Sequence, residues 1–292
     1  MLIRFLAALL LATATGAASA EPPKPLLWKV SDADNSVYLL GSFHLLKPGD
    51  YPLSPKVYLA LEDAEHVVFE LSPDEMNDPA LGQKMLAVAR RADGQTLQAA
   101  LPAATWSQLV AYAGRRGLPL ENFALLDTWF IGLLIGMTEM QLAGLDSSLG
   151  LDKHVAAQAV AAGKPVGALE TADQQFAMFD SLTPAEQLKS LQDSLDDVDA
   201  MAREVERMHA FWRAGDGDGL YAMTGAEMKA ELPELYERLN VARNRAWLPR
   251  IRAMLDRSSR DDALVVVGAM HLLGEDGVVR MLRDAGYRVE RL

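Results

Sequence analysis

Two apolar runs near opposite ends of the chain are each followed by the same pattern, Gly-x-x-His-Leu-Leu. The first stretch is YLLGSFHLL over residues 38–46. The second stretch is LVVVGAMHLL over residues 264–273. A short apolar run that stops at a glycine is typical of a buried strand. The chain has only five histidines, so the match between His44 and His271 predicts two strands with equivalent ends.

Each pattern also stands in the same order of predicted elements. After His44, Ser54-Pro55 begins a predicted helix that ends near residue 64, and residues 66–72 form a predicted strand. After His271, a helix is predicted over residues 275–285 and a strand over residues 287–292. A strand-helix-strand order favours parallel pairing of the two strands through a right-handed crossover.

The sequence therefore predicts an α/β (α+β) fold whose central mixed sheet is built from two strand-GxxH-helix-strand halves. The mixed character comes from a predicted antiparallel hairpin of residues 26–30 and 36–40. A large helical insertion, at about residues 172–258, is predicted between the halves. An apolar run in the predicted helix 123–142 is too short to span a bilayer, so we interpret that helix as buried.

The first 20 residues have the features of a secretory signal peptide. Arg4 gives a basic start, residues 5–11 are apolar, and Ala18-Ser19-Ala20 is a small-residue cleavage site. We therefore expect cleavage after Ala20, a periplasmic or secreted location and no stable membrane anchor after cleavage. The remaining residues, 21–292, are predicted to form a single domain.

The amino-acid composition limits which catalytic groups, metal ligands and binding partners the protein can have. The chain has no cysteine, which excludes thiolate nucleophiles and cysteine metal ligands. Its formal net charge is −12, and an acidic surface argues against nucleic acid or an anionic membrane as a partner.

The candidate functional residues lie at predicted strand ends, where open α/β sheets bind their ligands. His44 and His271 each follow a glycine by three residues, which either lets the backbone turn sharply or lets a ligand approach closely. Glu70 and Glu170 also close apolar runs, and a glutamate there is costly unless it is paired, exposed or bound to metal. Together the four side chains suit zinc, manganese, iron or cobalt. They would allow three metal ligands and one general base.

Two other positions stand out in the predicted helices. Arg243 and Asn244 are adjacent and either hold a substrate carboxylate or phosphate by bidentate hydrogen bonds or form surface salt bridges. His209 lies in a charged helical stretch and is interpreted as solvated.

Several short motifs, in order along the chain, resemble those of the TraB/PrgY/GumN family, which includes the Tiki-type proteases. The closest match is to the secreted bacterial GumN-like branch. The motifs are Tyr38-Leu-Leu-Gly41-Ser42-Phe43-His44, Val68-Phe-Glu70, Gly150-Leu-Asp152, Gly163-Lys-Pro-Val, Leu169-Glu170-Thr171, Gln174-Gln175, Arg243-Asn244 and Val267-Gly268-Ala269-Met270-His271-Leu272. The resemblance implies a mixed sheet with helices and one site containing both Gly-x-x-His motifs and the glutamates. It also implies metal-dependent peptidase activity, since Tiki-type members use manganese or cobalt.

We therefore predict a metal-dependent hydrolase that acts on a peptide or another small substrate. His44, Glu170 and His271 are predicted to bind a divalent ion (manganese, cobalt or zinc), and Glu70 is predicted to be the general base, although the two glutamates are interchangeable at this point. Arg243 and Asn244 are predicted to bind substrate. Two alternatives remain open: a metal-independent hydrolase that uses the two histidines as acid and base, and a non-enzymatic protein that binds peptide, haem or metal.

Overall fold

The structure, a computed structural model, describes residues 21–256 and 260–292. The predicted signal peptide lies outside the described residues. Within them, one mixed sheet has the strand order β4-β3-β5-β2-β1-β6. Its strands are β1 (Leu27–Ser31), β2 (Ser36–Ser42), β3 (His66–Phe69), β4 (Val166–Ala168), β5 (Ala263–Gly268) and β6 (Arg288–Arg291).

The two strands that precede the Gly-x-x-His patterns are direct neighbours in this sheet. β2 and β5 pair in parallel, with Gly41 opposite Val267 and Ser42 opposite Gly268. β5 also pairs in parallel with β3, and β3 with β4. β1 pairs antiparallel with both β2 and β6. The predicted mixed sheet is therefore confirmed, and so is its antiparallel hairpin.

The predicted pairing within each half is wrong. β2 and β3 run parallel but are separated by β5, and β6 pairs with β1 rather than with β5. Every residue of β5 is buried. A strand that is apolar on both faces is favoured in the centre of a parallel sheet, where other elements cover both of its faces.

Helices fill the long connections between β3 and β4 and between β4 and β5. In chain order the helices are α1 (Pro55–Asp63), α2 (Pro73–Met76), α3 (Leu81–Val88), α4 (Leu97–Ala100), α5 (Ala103–Arg116), α6 (Thr128–Leu142), α7 (Leu151–Ala161), α8 (Ala172–Asp180), α9 (Pro184–Asp196), α10 (Val198–Ala214), α11 (Gly217–Met223), α12 (Gly225–Glu231), α13 (Pro233–Tyr236), α14 (Ala242–Leu255) and α15 (Val278–Asp284). A π-helical turn, Glu237–Val241, joins α13 to α14. In the part of the chain that the structure describes, no helix has the length and apolar character to cross a membrane.

The main core lies around the sheet, and α14 is the helix that links this core to the strand ends. Its buried residues Asn244, Trp247, Ile251 and Leu255 recur at the spacing of one helical face. Trp247, Ile251 and Leu255 belong to the same apolar cluster as the residues of β2 and β5. Burial of this stripe fixes the rotation of α14 and thereby directs its first turn toward the sheet.

Candidate active site

Four predicted site residues lie just past the C-terminal ends of four adjacent parallel strands. Glu170, Glu70, His271 and His44 follow β4, β3, β5 and β2, in the order in which these strands stand in the sheet. The pairing of β3 with β4 extends to the glutamates, because the backbone N–H of Glu170 donates to the carbonyl of Glu70 at 3.0 Å. The carboxyl ends of parallel strands share one edge of a sheet, so the four side chains face one region.

Gly268 is the point at which three of these side chains approach one another. A methyl group on its Cα would lie 3.2 Å from Oε1 of Glu70, 3.2 Å from Nε2 of His44 and 3.6 Å from the His271 ring. Neither Gly268 nor Gly41 has a positive φ, so neither position requires the left-handed backbone conformation that favours glycine. At Gly268 the missing side chain makes room for the site, and at Gly41 it makes room for the packing of Leu26 and Ala269.

His44 is paired with Asp152, which lies in the first turn of α7. Nδ1 of His44 lies 3.3 Å from Oδ2 of Asp152, and the His44 side chain remains 53% exposed. Desolvation lowers the pKa of His44, but attraction to Asp152 and a hydrogen bond with it outweigh desolvation and raise the pKa from 6.5 to about 9. His44 is therefore protonated at neutral pH, with Nε2 directed toward Gly268 and Glu70.

Asp152 is held in place from two sides. Its Oδ1 accepts a hydrogen bond from Oγ of Ser42 at 3.1 Å. Its backbone N–H donates a second hydrogen bond to Oγ of Ser42 at 3.2 Å. Gly150, two residues earlier, allows the chain to touch His44, because a methyl group there would lie 2.2 Å from the His44 carbonyl oxygen. Asp152 was not predicted to be a site residue from the sequence. Its place after Gly150 in a short motif was the one signal that could have found it.

His271 is buried and held in one tautomer. Its Nδ1 lies 2.7 Å from Oδ1 of Asn244, whose side-chain amide donates to the carbonyl of Asp276 at 2.8 Å. An amide oxygen only accepts, so Nδ1 of His271 carries the proton and Nε2 is free to accept from Arg243 Nη1 at 2.8 Å. Burial lowers the pKa of His271 to about 3, and the charge of Arg243 acts in the same direction. The ring is therefore neutral over most of the pH range.

Glu70 is ionised and keeps one oxygen directed toward the gap near Gly268. Its Oε1 accepts from the Gly268 N–H at 2.6 Å, and its Oε2 accepts from Arg243 at 2.6 Å and Gln175 at 3.2 Å. Burial raises the pKa of Glu70, but attraction to His271 and Arg243 outweighs burial and lowers it to about 2. Because His271 is neutral, Arg243 and the protonated His44 are the charges that keep the pKa of Glu70 low near pH 7. A carboxylate has about four acceptor positions, so the three donors leave one on Oε1.

Glu170, in contrast, has no acceptor position left. Oε1 accepts from Gln175 at 2.7 Å and Arg243 at 2.5 Å, and Oε2 accepts from Arg243 at 3.1 Å and Trp247 at 3.2 Å. This difference separates two glutamates that the sequence alone left interchangeable. In this arrangement Glu70 is the one suited to act as a base, and Glu170 holds Arg243.

The predicted roles of Arg243 and Asn244 in substrate binding stay predictions. In this structure the five N–H donors of Arg243 point at Glu70, Glu170, His271 and the carbonyl of Leu239. Asn244 is fully buried and orients His271. Both residues hold the other members of the site in place.

The predicted metal ligands His44, Glu170 and His271 do not fit a bound ion as they stand. Glu170 offers no free oxygen, and Nε2 of His271 is occupied by an Arg243 N–H. Across residues 21–256 and 260–292, no three His, Asp or Glu side chains form a group that could hold a metal ion. A metal at this edge of the sheet would need Arg243 to move and Glu70 to replace Glu170.

The exposed side of the site opens into a cleft of about 200 Å³. Its polar lining comes from His44, Glu70, Asp152 and Gln175, and its apolar wall comes from Phe69, Leu71, Met76 and Val266. Gln175, which bridges the two glutamates, and Trp247, which donates to Glu170, were not identified as site residues from the sequence. Each of these residues lies on a helix, and the face that a helix turns toward the sheet depends on tertiary packing.

Comparison with known proteins identifies the family of this chain. The family model of the TraB/PrgY/gumN family matches residues 26–291. The chain belongs to the TraB/PrgY/gumN family. This match spans all six strands and all four strand-end residues, so the two Gly-x-x-His patterns lie within the family's own domain.

Individual proteins are also similar to this chain over most of its length. A protein of Escherichia coli K12 named "Uncharacterized protein YbaP" is 27% identical over 84% of this chain and 87% of its own length. The "Metalloprotease TIKI homolog" of Amphimedon queenslandica is 25% identical over 91% of this chain and 61% of its own length. "Metalloprotease TIKI2" of Danio rerio is 23% identical over 87% of this chain and 58% of its own length. No solved structure matches.

Proposed function

We propose that this protein is a hydrolase of peptide bonds whose reacting groups are His44 and Glu70. The observation that carries the proposal is the position of Nε2 of His44 and Oε1 of Glu70, each 3.2 Å from one point above Gly268 at the cleft. Their pKa values are shifted in opposite directions, to about 9 and about 2. At neutral pH these shifts keep His44 protonated and Glu70 ionised, which are the states that a general acid and a general base require.

The reaction follows from these protonation states. A water molecule held by Oε1 of Glu70 attacks the peptide carbonyl carbon and gives a proton to Glu70. His44 donates its Nε2 proton to the leaving nitrogen as the C–N bond breaks, and the proton on Glu70 later returns to His44. The products are a carboxylic acid and an amine, and both catalytic groups regain their starting states. Asp152 stabilises the protonated form of His44, and Asn244 keeps neutral His271 beside Glu70.

The cleft also defines the kind of peptide that would fit. Its apolar wall favours an uncharged apolar side chain beside the bond to be cleaved, and its small volume admits about one residue at a time. The acidic chain disfavours strongly acidic peptides through long-range repulsion. We therefore propose short or extended peptides with an apolar residue next to the scissile bond.

Metal-dependent hydrolysis by the same residues is the second candidate. The names of the two Tiki relatives favour it, and so does the way both histidines are held through Nδ1, by Asp152 and Asn244. Histidine ligands are commonly oriented in this way by a partner on the second ring nitrogen. In the described arrangement, Glu170 and His271 have no free acceptor atom for an ion. The hydrolysis by His44 and Glu70 is therefore proposed without a metal.

The test is a peptide-library cleavage assay on the chain from Glu21, purified without a nickel column. It is run after chelation, after addition of Mn²⁺, Co²⁺ or Zn²⁺ singly, and alongside a metal analysis of the untreated protein. Cleavage that survives chelation and is lost in folded H44A and E70Q supports the proposal. Cleavage that appears only with a metal supports the second candidate, and no cleavage under any condition rejects both.

We also propose that the protein works in the periplasm or outside the cell. The support is the sequence of residues 1–20, with its small-residue cleavage site at Ala18-Ser19-Ala20. Mass spectrometry of the protein from fractionated cells tests this, since an N-terminus at Glu21 in the exported fraction is expected and an intact Met1 in the cytoplasm would contradict it.

A further inference from the structure

Residues 43–50, which follow β2 and include His44, form a loop (the His44 loop) that is anchored by a buried carboxylate, Asp50. Asp50 is 1% exposed. Its Oδ2 accepts from the Lys47 N–H at 2.8 Å and from Nε2 of His209 at 2.7 Å, and its Oδ1 accepts from Arg213 Nη1 at 2.5 Å. Burial raises the pKa of Asp50, but these hydrogen bonds outweigh burial and lower it. The ionised carboxylate only accepts, so Nε2 of His209 carries the proton.

This contact overturns the interpretation of His209 as a solvated residue. The side chain lies on α10 and is 8% exposed. Arg213 lies one helical turn further along α10 and therefore on the same face as His209. The charge pattern around His209 suggested a solvated helix, but the face that meets Asp50 is covered by the His44 loop.

α10 also contacts the chain before His44, at the end of β2 and at the start of the His44 loop. Nε1 of Trp212 donates to the carbonyl of Gly41 at 3.1 Å. The ring of Phe43 packs against Trp212 and His209, with ring centres 5.9 and 6.1 Å apart. The loop is thus held by α10 both before and after His44.

The opposite side of the loop faces α7 and the segment before it. Leu46 forms a backbone bridge with Asp146, and the N–H of Leu151 donates to the Phe43 carbonyl at 3.1 Å. The His44 ring is half-exposed and lies 3.3 Å from Asp152, close to the limit of a hydrogen bond. A small displacement of the loop away from α7 is therefore enough to break the contact between His44 and Asp152.

We propose that Asp50 and His209 are positioning residues for His44. Their hydrogen bond, with Arg213 on the second carboxylate oxygen, fixes the loop between α10 and α7. In this way it sets the distance from His44 to Asp152. The part of this inference that concerns catalysis rests on the proposed function, whereas the part that concerns the His44–Asp152 hydrogen bond does not.

The test uses two substitutions of His209 and one matched control. His209→Phe keeps a ring against Phe43 and Trp212 but removes the donor to Asp50, and His209→Gln supplies an amide donor close to the position of Nε2. The control is Tyr112→Phe, which removes the 2.8 Å hydrogen bond from Tyr112 to Glu139, another carboxylate that is 1% exposed. If His209→Phe does not fold, Asp50→Asn tests the same contact without a change of size.

Two readouts separate positioning from general stability. The first is the NMR signal of the His44 ring N–H that is hydrogen-bonded to Asp152, recorded at one neutral pH and assigned by its loss in H44A. The second is kcat and KM, determined separately in the peptide assay. H209F and Y112F should both lower the urea midpoint. Only H209F should remove the His44 signal and lower kcat, by about tenfold to hundredfold, and H209Q should restore much of both.

The possible results distinguish a positioning role of Asp50 and His209 from a purely stabilising one. A His44 signal that is unchanged in folded H209F and D50N, or that Y112F reduces equally, would overturn the proposal and leave Asp50 and His209 as stabilising residues only. If the wild type cleaves no peptide, the proposed function fails. The NMR comparison then still decides whether His209 positions His44.

Discussion

Arg243 and Glu170 form a two-pronged ion pair in which Nε and Nη2 of the arginine each donate to a different carboxylate oxygen, at 3.1 and 2.5 Å. The same arginine also donates to Glu70 and to Nε2 of His271. One guanidinium therefore bridges two carboxylates and also fills the acceptor of an imidazole. This bonding explains why two glutamates stand side by side at the end of a buried sheet.

Glu170→Gln should lower stability without changing metal content. The substitution keeps the shape of the side chain but replaces charged hydrogen bonds with neutral ones, at a cost of about 2 kcal/mol in the free energy of unfolding. Urea denaturation measures the loss, and elemental analysis measures the metal. Asp284→Asn is the control, since it removes an exposed helical ion pair with Arg280 and should change little. A loss of bound metal at unchanged stability would instead make Glu170 a ligand.

Asn244→Ala should destabilise the protein and impair the site together. It leaves Nδ1 of His271 and the carbonyl of Asp276 without their partner in a buried place, which costs about 1–3 kcal/mol. Cleavage activity should fall because the His271 ring can then rotate or change tautomer. Asn122→Ala, at an exposed position, should stay within about 0.5 kcal/mol of the wild type. Full activity in folded N244A would show that the orientation of His271 is unimportant.

Gly268→Ala should reduce activity far more than stability. Its methyl group would lie 3.2 Å from both Glu70 Oε1 and His44 Nε2, so these groups must move apart by a few tenths of an ångström. We expect at least a tenfold loss of kcat/KM, equivalent to about 1.4 kcal/mol. Gly167→Ala is the matched control, because its methyl group would meet only a Val68 methyl at 3.7 Å. Equal activity of the two variants would argue against a reaction centre above Gly268.

The stability of the protein should be greatest near pH 6.5. The folded-state pKa of His44 is raised to about 9, so its stabilising contribution is complete below about pH 6.5 and is lost as the pH rises through about 9. The pKa of His271 is lowered to about 3, so the unfolded chain binds a proton that the folded chain excludes, and stability falls as the pH drops below about 6.5. The lowered pKa of His154 acts in the same direction as that of His271.

Urea denaturation across pH 5 to 10 measures how the free energy of unfolding falls on the acid side and on the alkaline side of the maximum. These two parts of the pH curve are called the acid limb and the alkaline limb. His44→Asn should flatten the alkaline limb, and His271→Asn should flatten the acid limb relative to the wild type. A wild-type stability that stays constant between pH 6.5 and 9 would contradict the paired state of His44. The exposed ring of His44 makes its limb the shallower of the two.

The sequence predicted the strand ends because their signals are local. In YLLGSFHLL the apolar run, the glycine and the histidine are contiguous, so the position of His44 at the end of a strand follows from nearest neighbours. The same holds for His271 after β5. The convergence of the two then followed from the rule that parallel strands share an edge.

The partners of these histidines could not be predicted in the same way. Asp152 reaches His44 from another helix, and Asn244 reaches His271 from α14, so each contact depends on how a helix is rotated against the sheet. Arg243 points inward because Trp247 and Ile251 fix that rotation. His209 was misread because a charged stretch does not show which face of α10 another loop covers.

The pairing of β2 with β5 also has a consequence for folding. The strand that separates His44 from Glu70 is made by residues 263–268, close to the end of the chain. A growing or truncated chain that stops before these residues carries Glu70, Glu170 and His44 but lacks the strand that holds His44 beside the two glutamates. Such a high contact order makes closure of the sheet a slow, late event. The chemistry therefore requires β5 together with β2 and β3, and fragments that lack any of these strands should be inert.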